Sequence, residues 1–254
     1  MRVLLALAVF AASGADAAQC SAHSGDRTAA LVELYTSEGC SSCPPADRWL
    51  SGLGGGYAPE RVVPLSLHVD YWDYIGWKDP YARREFSLRQ RKLTQLQRLA
   101  LVYTPQVMLQ GRDFRAWGTP AFDAAVASIN ARPAQAKIAL TIHAASRDGL
   151  SVETHAELLD RGQRGDAVAY LAAYENRLRS KVDAGENRGR VLEHDYVVLE
   201  WKGPFVFSAD GSLRERRTLP LLPKAVVANS GVVAFVQNRS APGVLQALML
   251  PVCP

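Results

Sequence analysis

Two cysteines spaced by two serines, Cys40-Ser41-Ser42-Cys43, stand between an apolar run and a proline pair, and this junction constrains the fold more than any other feature. Ala29 to Tyr35 is short, largely apolar and flanked by polar residues, as expected of a strand in a sheet covered on both faces. Thr36 to Gly39 reads as a turn. Pro44-Pro45-Ala46-Asp47 reads as a helix start, because proline is tolerated in a first turn whose N–H groups have no intrahelical acceptor. The glycines between Gly52 and Gly56 end that helix. The cysteines therefore fall at a strand-to-helix junction.

The following segments keep the alternation. Arg61 to Val69 reads as a second strand, and Asp79 to Leu101 has helical spacing, with Phe86, Leu93, Leu96 and Ala100 on one side. Gln106 to Gln110 reads as a third strand, Phe114 to Trp117 as a short fourth, and Pro120 to Asn130 as a helix. This β-α-β-α-β-β-α order, with a CxxC at its first junction, predicts a thioredoxin-like α/β domain over residues 18–133. Beyond Arg132-Pro133 the pattern changes. Lys137–His143, Leu150–Glu157, Ala167–Tyr174, Tyr196–Trp201, Leu213–Leu219, Val232–Gln237 and Val244–Met249 are short runs separated by Gly, Asp and Asn turns. They predict an all-β sandwich of immunoglobulin or fibronectin-like class over residues 134–254, with Glu175 to Arg190 as a long hairpin loop.

Met1-Arg2, the apolar run Val3 to Ala12 and the small residues up to Ala17 read as a signal peptide over residues 1–17. The run is shorter than the roughly twenty residues a membrane span needs, and Gln19 before Cys20 argues against lipidation. The expectation is a periplasmic or secreted protein with no membrane anchor after cleavage. A net charge of +4 without an aromatic-interleaved basic stripe gives no footprint for nucleic acid. The seven Lys/Arg from Lys78 to Arg98 read as a solvated helix face, with steering of acidic partners as the alternative.

An exported chain can keep disulfides. Pairing Cys20 with Cys253 closes nearly the whole mature chain, worth about 5 kcal/mol in the chain-entropy treatment, whereas the CxxC loop yields about 2 kcal/mol. Cys20–Cys253 therefore reads as the structural disulfide and Cys40–Cys43 as the redox pair. A helix N-terminus stabilises a thiolate on Cys40, making it the attacking thiol and Cys43 the resolving one. Competing readings are a permanent local disulfide and half a zinc site, although no second CxxC or His pair completes four ligands. Tyr103-Thr104-Pro105 precedes the third strand, where thioredoxin-like proteins carry a cis-proline facing the CxxC; that similarity implies a cis peptide and a substrate-binding backbone at Thr104-Pro105. Glu33 is a candidate proton acceptor for Cys43, or else a strand-edge residue facing solvent. His68 could join Cys40 and Cys43 on Cu(I), giving a copper-binding alternative, or be packed like most lone histidines. The aromatics from His68 to Trp77 either line a substrate groove or seat their loop.

Val32-Glu33-Leu34-Tyr35-Thr36-Ser37-Glu38-Gly39-Cys40-Ser41-Ser42-Cys43-Pro44-Pro45-Ala46-Asp47 closely resembles a secreted Gram-negative family, "domain of unknown function 1223". His68-Val69-Asp70-Tyr71-Trp72-Asp73, Gly76-Trp77, Tyr103-Thr104-Pro105-Gln106 and Gly185-Glu186-Asn187-Arg188-Gly189 fit the same family. The resemblance implies a thioredoxin-like fold with an appended β-domain; it implies no particular activity. Compared with thioredoxins, Gly39 replaces the usual Trp before the first Cys, and Pro44-Pro45 the usual residues after the second. The expected activity is thiol–disulfide exchange with protein or small-molecule thiols and disulfides, requiring no cofactor and no metal; a secreted binding module is the non-enzymatic alternative.

Overall fold

The computed structural model describes residues 20–253, so the expected signal peptide over residues 1–17 lies outside the described residues. The chain begins with β1 (Cys20–His23) and then enters β2 (Ala30–Thr36), in which every residue is buried. Helix α1 (Pro44–Gly56) crosses over to β3 (Val62–His68), which pairs parallel to β2. Helix α2 (Arg84–Leu96), β4 (Gln106–Leu109), β5 (Arg112–Asp113) and α3 (Pro120–Asn130) follow. β4 returns antiparallel along the other side of β2.

β2 sorts its two faces by alternate residues, as a pleated strand must. Ala30, Val32 and Leu34 face a core built with Ala46, Leu50 and Leu53 of α1 and Phe122, Val126 and Ile129 of α3. Leu31 and Tyr35 face a second core with Phe86 and Leu93 of α2.

The expected arrangement, a thioredoxin-like domain followed by an independent immunoglobulin or fibronectin-like sandwich, is not what the chain forms. Its later strands are β6 (Ala136–Ser146), β7 (Gly149–Leu158), β8 (Ala167–Glu175), β9 (Leu178–Lys181), β10 (Val191–His194), β11 (Val197–Val206), β12 (Ser212–Leu219), β13 (Ser230–Asn238) and β14 (Val244–Pro251). Four of these join the strands of the first half in one mixed sheet of order β14-β13-β8-β11-β3-β2-β4-β5. β1, β6, β7 and β12 form a separate four-stranded sheet, so even the first strand of the described chain pairs with the second half.

The physical reason lies in burial on two faces. In β8, Ala167, Ala169, Leu171 and Ala173 pack toward the four-stranded sheet, while Val168, Tyr170, Ala172 and Tyr174 pack into the core shared with α2. β13 divides likewise, with Val232, Ala234 and Val236 on one side and Val233 and Phe235 on the other. A sandwich strand has one wet face; these strands have none, so they need a partner layer on each side. β11 extends the ladder into the first half, where Val197 pairs parallel with Ser66 of β3 and Ser66 N donates to Tyr196 O at 2.8 Å. This satisfies strand edges that a free-standing sandwich would leave open.

The parallel register aligns Thr36 with His68, and β4 places Gln106 opposite Tyr35, so Pro105 comes level with the same end of the sheet. Chain leaving that end of β2 leads directly into the cysteines.

Candidate functional site

Cys40 and Cys43 are bonded to one another, with Cα atoms 5.4 Å apart, and Cys20 is bonded to Cys253, with Cα atoms 5.7 Å apart. Two disulfides suit a protein kept in an oxidising compartment outside the cytoplasm. Among the described residues no helix is long and apolar enough to cross a membrane.

Cys43 caps α1, and Pro44-Pro45 occupy its first turn, where their missing N–H groups cost no intrahelical bond. Ala46 N and Asp47 N donate to Cys43 O at 2.9 and 3.1 Å. Ser42 Oγ lies 3.3 Å from Cys40 Sγ, where a hydroxyl can donate to a thiolate. Gly39 has no room for a side chain: a Cβ there would come within 3.2 Å of both Ile75 and Trp72. That crowding accounts for glycine at this position.

The Thr104–Pro105 peptide is cis. Thr104 Oγ1 accepts from Trp72 Nε1 at 2.7 Å, so the tryptophan that closes on Gly39 also holds the segment before β4. Glu33 has a different partner. Its carboxylate accepts from Arg89 Nε at 2.5 Å and Arg89 NH2 at 3.0 Å. The guanidinium in turn lies 4.9–5.1 Å from the ring centroids of Tyr170, Trp201 and Phe235. Among the described residues no hydrogen bond joins Glu33 to either cysteine.

The acid–base groups beside the pair come from elsewhere. Glu38 and Asp47 flank the cysteines in sequence, and both are buried, as are His68, Asp79 and His194. His68 Nδ1 lies 2.7 Å from Asp79 Oδ2; because a carboxylate only accepts, Nδ1 carries the proton. Asp79 also accepts from Glu38 N at 2.8 Å and Tyr81 N at 2.9 Å. His194 Nε2 lies 3.1 Å from Glu38 Oε1, and Trp77 Nε1 donates to Glu38 Oε2 at 2.8 Å. Asp47 accepts from Thr36 Oγ1 at 2.8 Å, and its other oxygen lies 3.9 Å from His194 Nδ1, which has no hydrogen-bond partner among the described residues. The His68 and His194 rings meet edge to face with centroids 4.9 Å apart.

The environment shifts these groups apart. Burial opposes a charge on His68, but the Asp79 carboxylate, with Asp47 and Glu38 behind it, holds its pKa above the ordinary imidazole value. Burial also works against ionised Asp79, yet His68 and the two backbone donors keep its pKa below the usual carboxylate range. Asp47 goes the other way: burial raises its pKa despite the opposing pull of His194, His68 and Thr36. One buried carboxyl thus holds its proton more tightly than usual, one turn of helix beyond Cys43. A crevice of about 160 Å³ between α1 and β10, lined by Asp47, Arg48, Arg190 and His194, leads to it.

β9 and β10 form a two-stranded hairpin whose tip lies across the pair. Asn187 donates from Nδ2 to Glu38 O at 2.8 Å and Cys40 O at 2.9 Å, and Ser41 N donates to Glu186 Oε2 at 2.9 Å. Of the predicted site residues, then, the structure groups Cys40, Cys43 and His68 at one sheet end, brings Thr104 and Pro105 to that end through Trp72, and pairs Glu33 with Arg89. Among the described residues no three His, Cys, Asp or Glu side chains are placed to hold a metal ion. Glu38, Asp47, Asp79, Asn187 and His194 were missed from sequence. Apart from the Gly185–Gly189 stretch, the one available cue was three acidic residues close to the CxxC and His68.

A family profile described as a protein of unknown function, DUF1223, matches residues 31–237. No curated protein matches significantly. Protein AGR_C_4864 from Agrobacterium tumefaciens is similar in structure with a TM-score of 0.62 and 24% identity, over 90% of this chain and 96% of that one. HBP35 of Porphyromonas gingivalis is similar with a TM-score of 0.67 and 16% identity, over 91% of this chain and 79% of that one. At these identities the likeness concerns the fold.

Proposed function

This chain belongs to the DUF1223 family, and we propose that it is an extracytoplasmic, periplasmic or secreted, thiol–disulfide oxidoreductase acting through Cys40 and Cys43. The observation that carries this reading is a network of five buried titratable side chains, Glu38, Asp47, His68, Asp79 and His194, two of which lie within four residues of the disulfide in sequence. Burying ionisable groups is costly. A disulfide closing so short a loop contributes little stability, about 2 kcal/mol in the chain-entropy treatment, so neither feature is explained as a staple. Together they serve a bond that breaks and re-forms, because each cycle moves protons as well as electrons.

With a dithiol partner, a partner thiolate attacks Cys40 Sγ. The Cys40–Cys43 bond breaks, its electron pair goes to Cys43 Sγ, and that sulfur takes up a proton; Asp47, one turn along α1, is the carboxyl assigned to that transfer. The partner's second thiolate then attacks its own sulfur in the mixed disulfide. It leaves with a disulfide, and the two protons given up by the partner's thiols protonate Cys40 Sγ and restore the carboxyl that protonated Cys43. Run backwards, the same steps reduce a disulfide. Thr104 and Pro105 present the backbone beside which an extended partner segment lies.

The test uses reduced protein and a disulfide-bridged peptide. Wild type converts the peptide to its dithiol, Cys40→Ser does not, and Cys43→Ser accumulates the mixed disulfide through Cys40. Equal conversion by Cys40→Ser would overturn the assignment.

A further inference from the structure

We propose that the tip of the β9–β10 hairpin, residues 183–190, is a gate over the Cys40–Cys43 pair that Glu186 and Asn187 hold shut. The proposal rests on the exchange chemistry above and concerns how that site is reached. Cys40 and Cys43 are each 0% exposed, so a thiolate needs some movement of the surrounding chain to reach either sulfur, and the tip is the segment bonded to the backbone of Glu38, Cys40 and Ser41.

The tip is built to sit closely and to leave intact. Asn187, itself fully buried, directs its amide to the carbonyls on either side of Gly39, and Arg190 NH1 donates to its Oδ1 at 2.8 Å, fixing which end faces the cysteines. Gly185, at φ +73°, lies where a Cβ would come 3.0 Å from Ile75 and 3.4 Å from Trp77. Within the tip, Arg188 N donates to Gly185 O and Arg190 N to Asn187 O, and at its base Gly189 N donates to Val182 O. β9 and β10 pair with each other in a two-stranded sheet apart from the two larger ones. Lifting the tip therefore breaks the bonds from Asn187 to Glu38 and Cys40 and from Ser41 to Glu186, while the Arg188–Gly185 and Arg190–Asn187 backbone bonds travel with it and the Gly189–Val182 bond marks the hinge at its base. Val182 and Leu192, both buried, stay as the anchors below the tip.

The gate predicts that exchange at this disulfide proceeds at the intrinsic rate multiplied by the fraction open. Oxidised protein is treated with dithiothreitol. Its first thiolate opens the pair as a mixed disulfide, and its second closes it to the cyclic disulfide, leaving two protein thiols. Acid-quenched samples are alkylated and weighed. Asn187→Ala, which removes both hydrogen bonds that tie the tip to Glu38 and Cys40 along with the one from Arg190, should raise the rate constant for Cys40–Cys43 about tenfold. Gly185→Val, which crowds the tip off Ile75 without changing charge, should act in the same direction. Amide exchange in β8 and β13 should stay at the wild-type rate in both. Unchanged reduction rates would overturn the gate, as would an acceleration matched by equal loss of protection in β8 and β13, which would signal general loosening. The outcome is separable from the redox reading: a failed peptide assay leaves these rate ratios standing, and equal rate ratios leave the peptide assay standing.

Discussion

Replacing Arg89 with leucine removes a cation from the inside of the molecule and leaves its anion behind. Glu33 is fully buried, and the Arg89 side chain is 9% exposed. Arg89 donates twice to Glu33 and once to Gln237 Oε1, at 2.8 Å. Breaking a buried pair from one side typically costs 3–5 kcal/mol, because the remaining charge is uncompensated. Loss of the guanidinium over three aromatic rings adds about 1 kcal/mol. Leucine restores part of the apolar contact, so the expected loss is about 4 kcal/mol, or about 8–16 °C in Tm for a chain of this size. Urea unfolding under non-oxidising, non-reducing conditions, followed by tryptophan fluorescence, measures it. The double variant Glu33→Leu/Arg89→Leu should recover at least half the loss, since it removes the orphaned charge. A loss below about 1 kcal/mol in Arg89→Leu, or a double variant no better than the single, would refute the claim that this pair is buried and coupled.

Three further outcomes follow. His68, with its raised pKa, contributes stability that is complete below the ordinary imidazole value and fades as pH rises through the raised one; Asp79, with its lowered pKa, contributes above the ordinary carboxylate value and fades as pH falls through the lowered one. The stability difference between wild type and Asp79→Asn should therefore be greatest between about pH 4 and 6.5 and shrink on both sides; a flat difference contradicts the pairing. Cys20→Ser/Cys253→Ser should lower unfolding stability by about 2–5 kcal/mol while leaving the Cys40–Cys43 potential unchanged, and a shifted potential would show the two disulfides coupled. Gly39→Ala should destabilise by about 1–3 kcal/mol, read by thermal unfolding, because Trp72 and Ile75 must both give way.

Local order was readable where it depends on local chemistry. The Pro44-Pro45 start of α1, the strand before the CxxC and the α3 segment are set by residues within a turn or two, and the structure has them at closely similar bounds. What was not readable is the joining of the halves. β8 and β13 look like sandwich strands in length and spacing, and only their apolar content on both faces, as in Ala167-Val168-Ala169-Tyr170-Leu171, marks them as a central layer. Their link to the first half runs through β11, whose pairing with β3 joins residues over 130 apart, Val197 with Ser66.

The site divides in the same way. Cys40, Cys43 and His68 were marked by residue type, but the partners that define their chemistry arrive from distant sequence, with His194 on β10 contacting Glu38 across 156 positions. Glu33 was misleading because α2 reads as a solvated basic face, and Arg89 is the member of that face that turns inward. The hairpin tip sits in a stretch read as a loop, and the contacts of Glu186 and Asn187 are long-range throughout.

The equilibrium reduction potential of Cys40–Cys43, measured against a glutathione buffer series with Cys20–Cys253 intact, tests the account most directly. A pair that works by exchange should lie above about −300 mV, within reach of cellular thiol couples. A value far below that would make the bond an inert staple and contradict the function proposed for it.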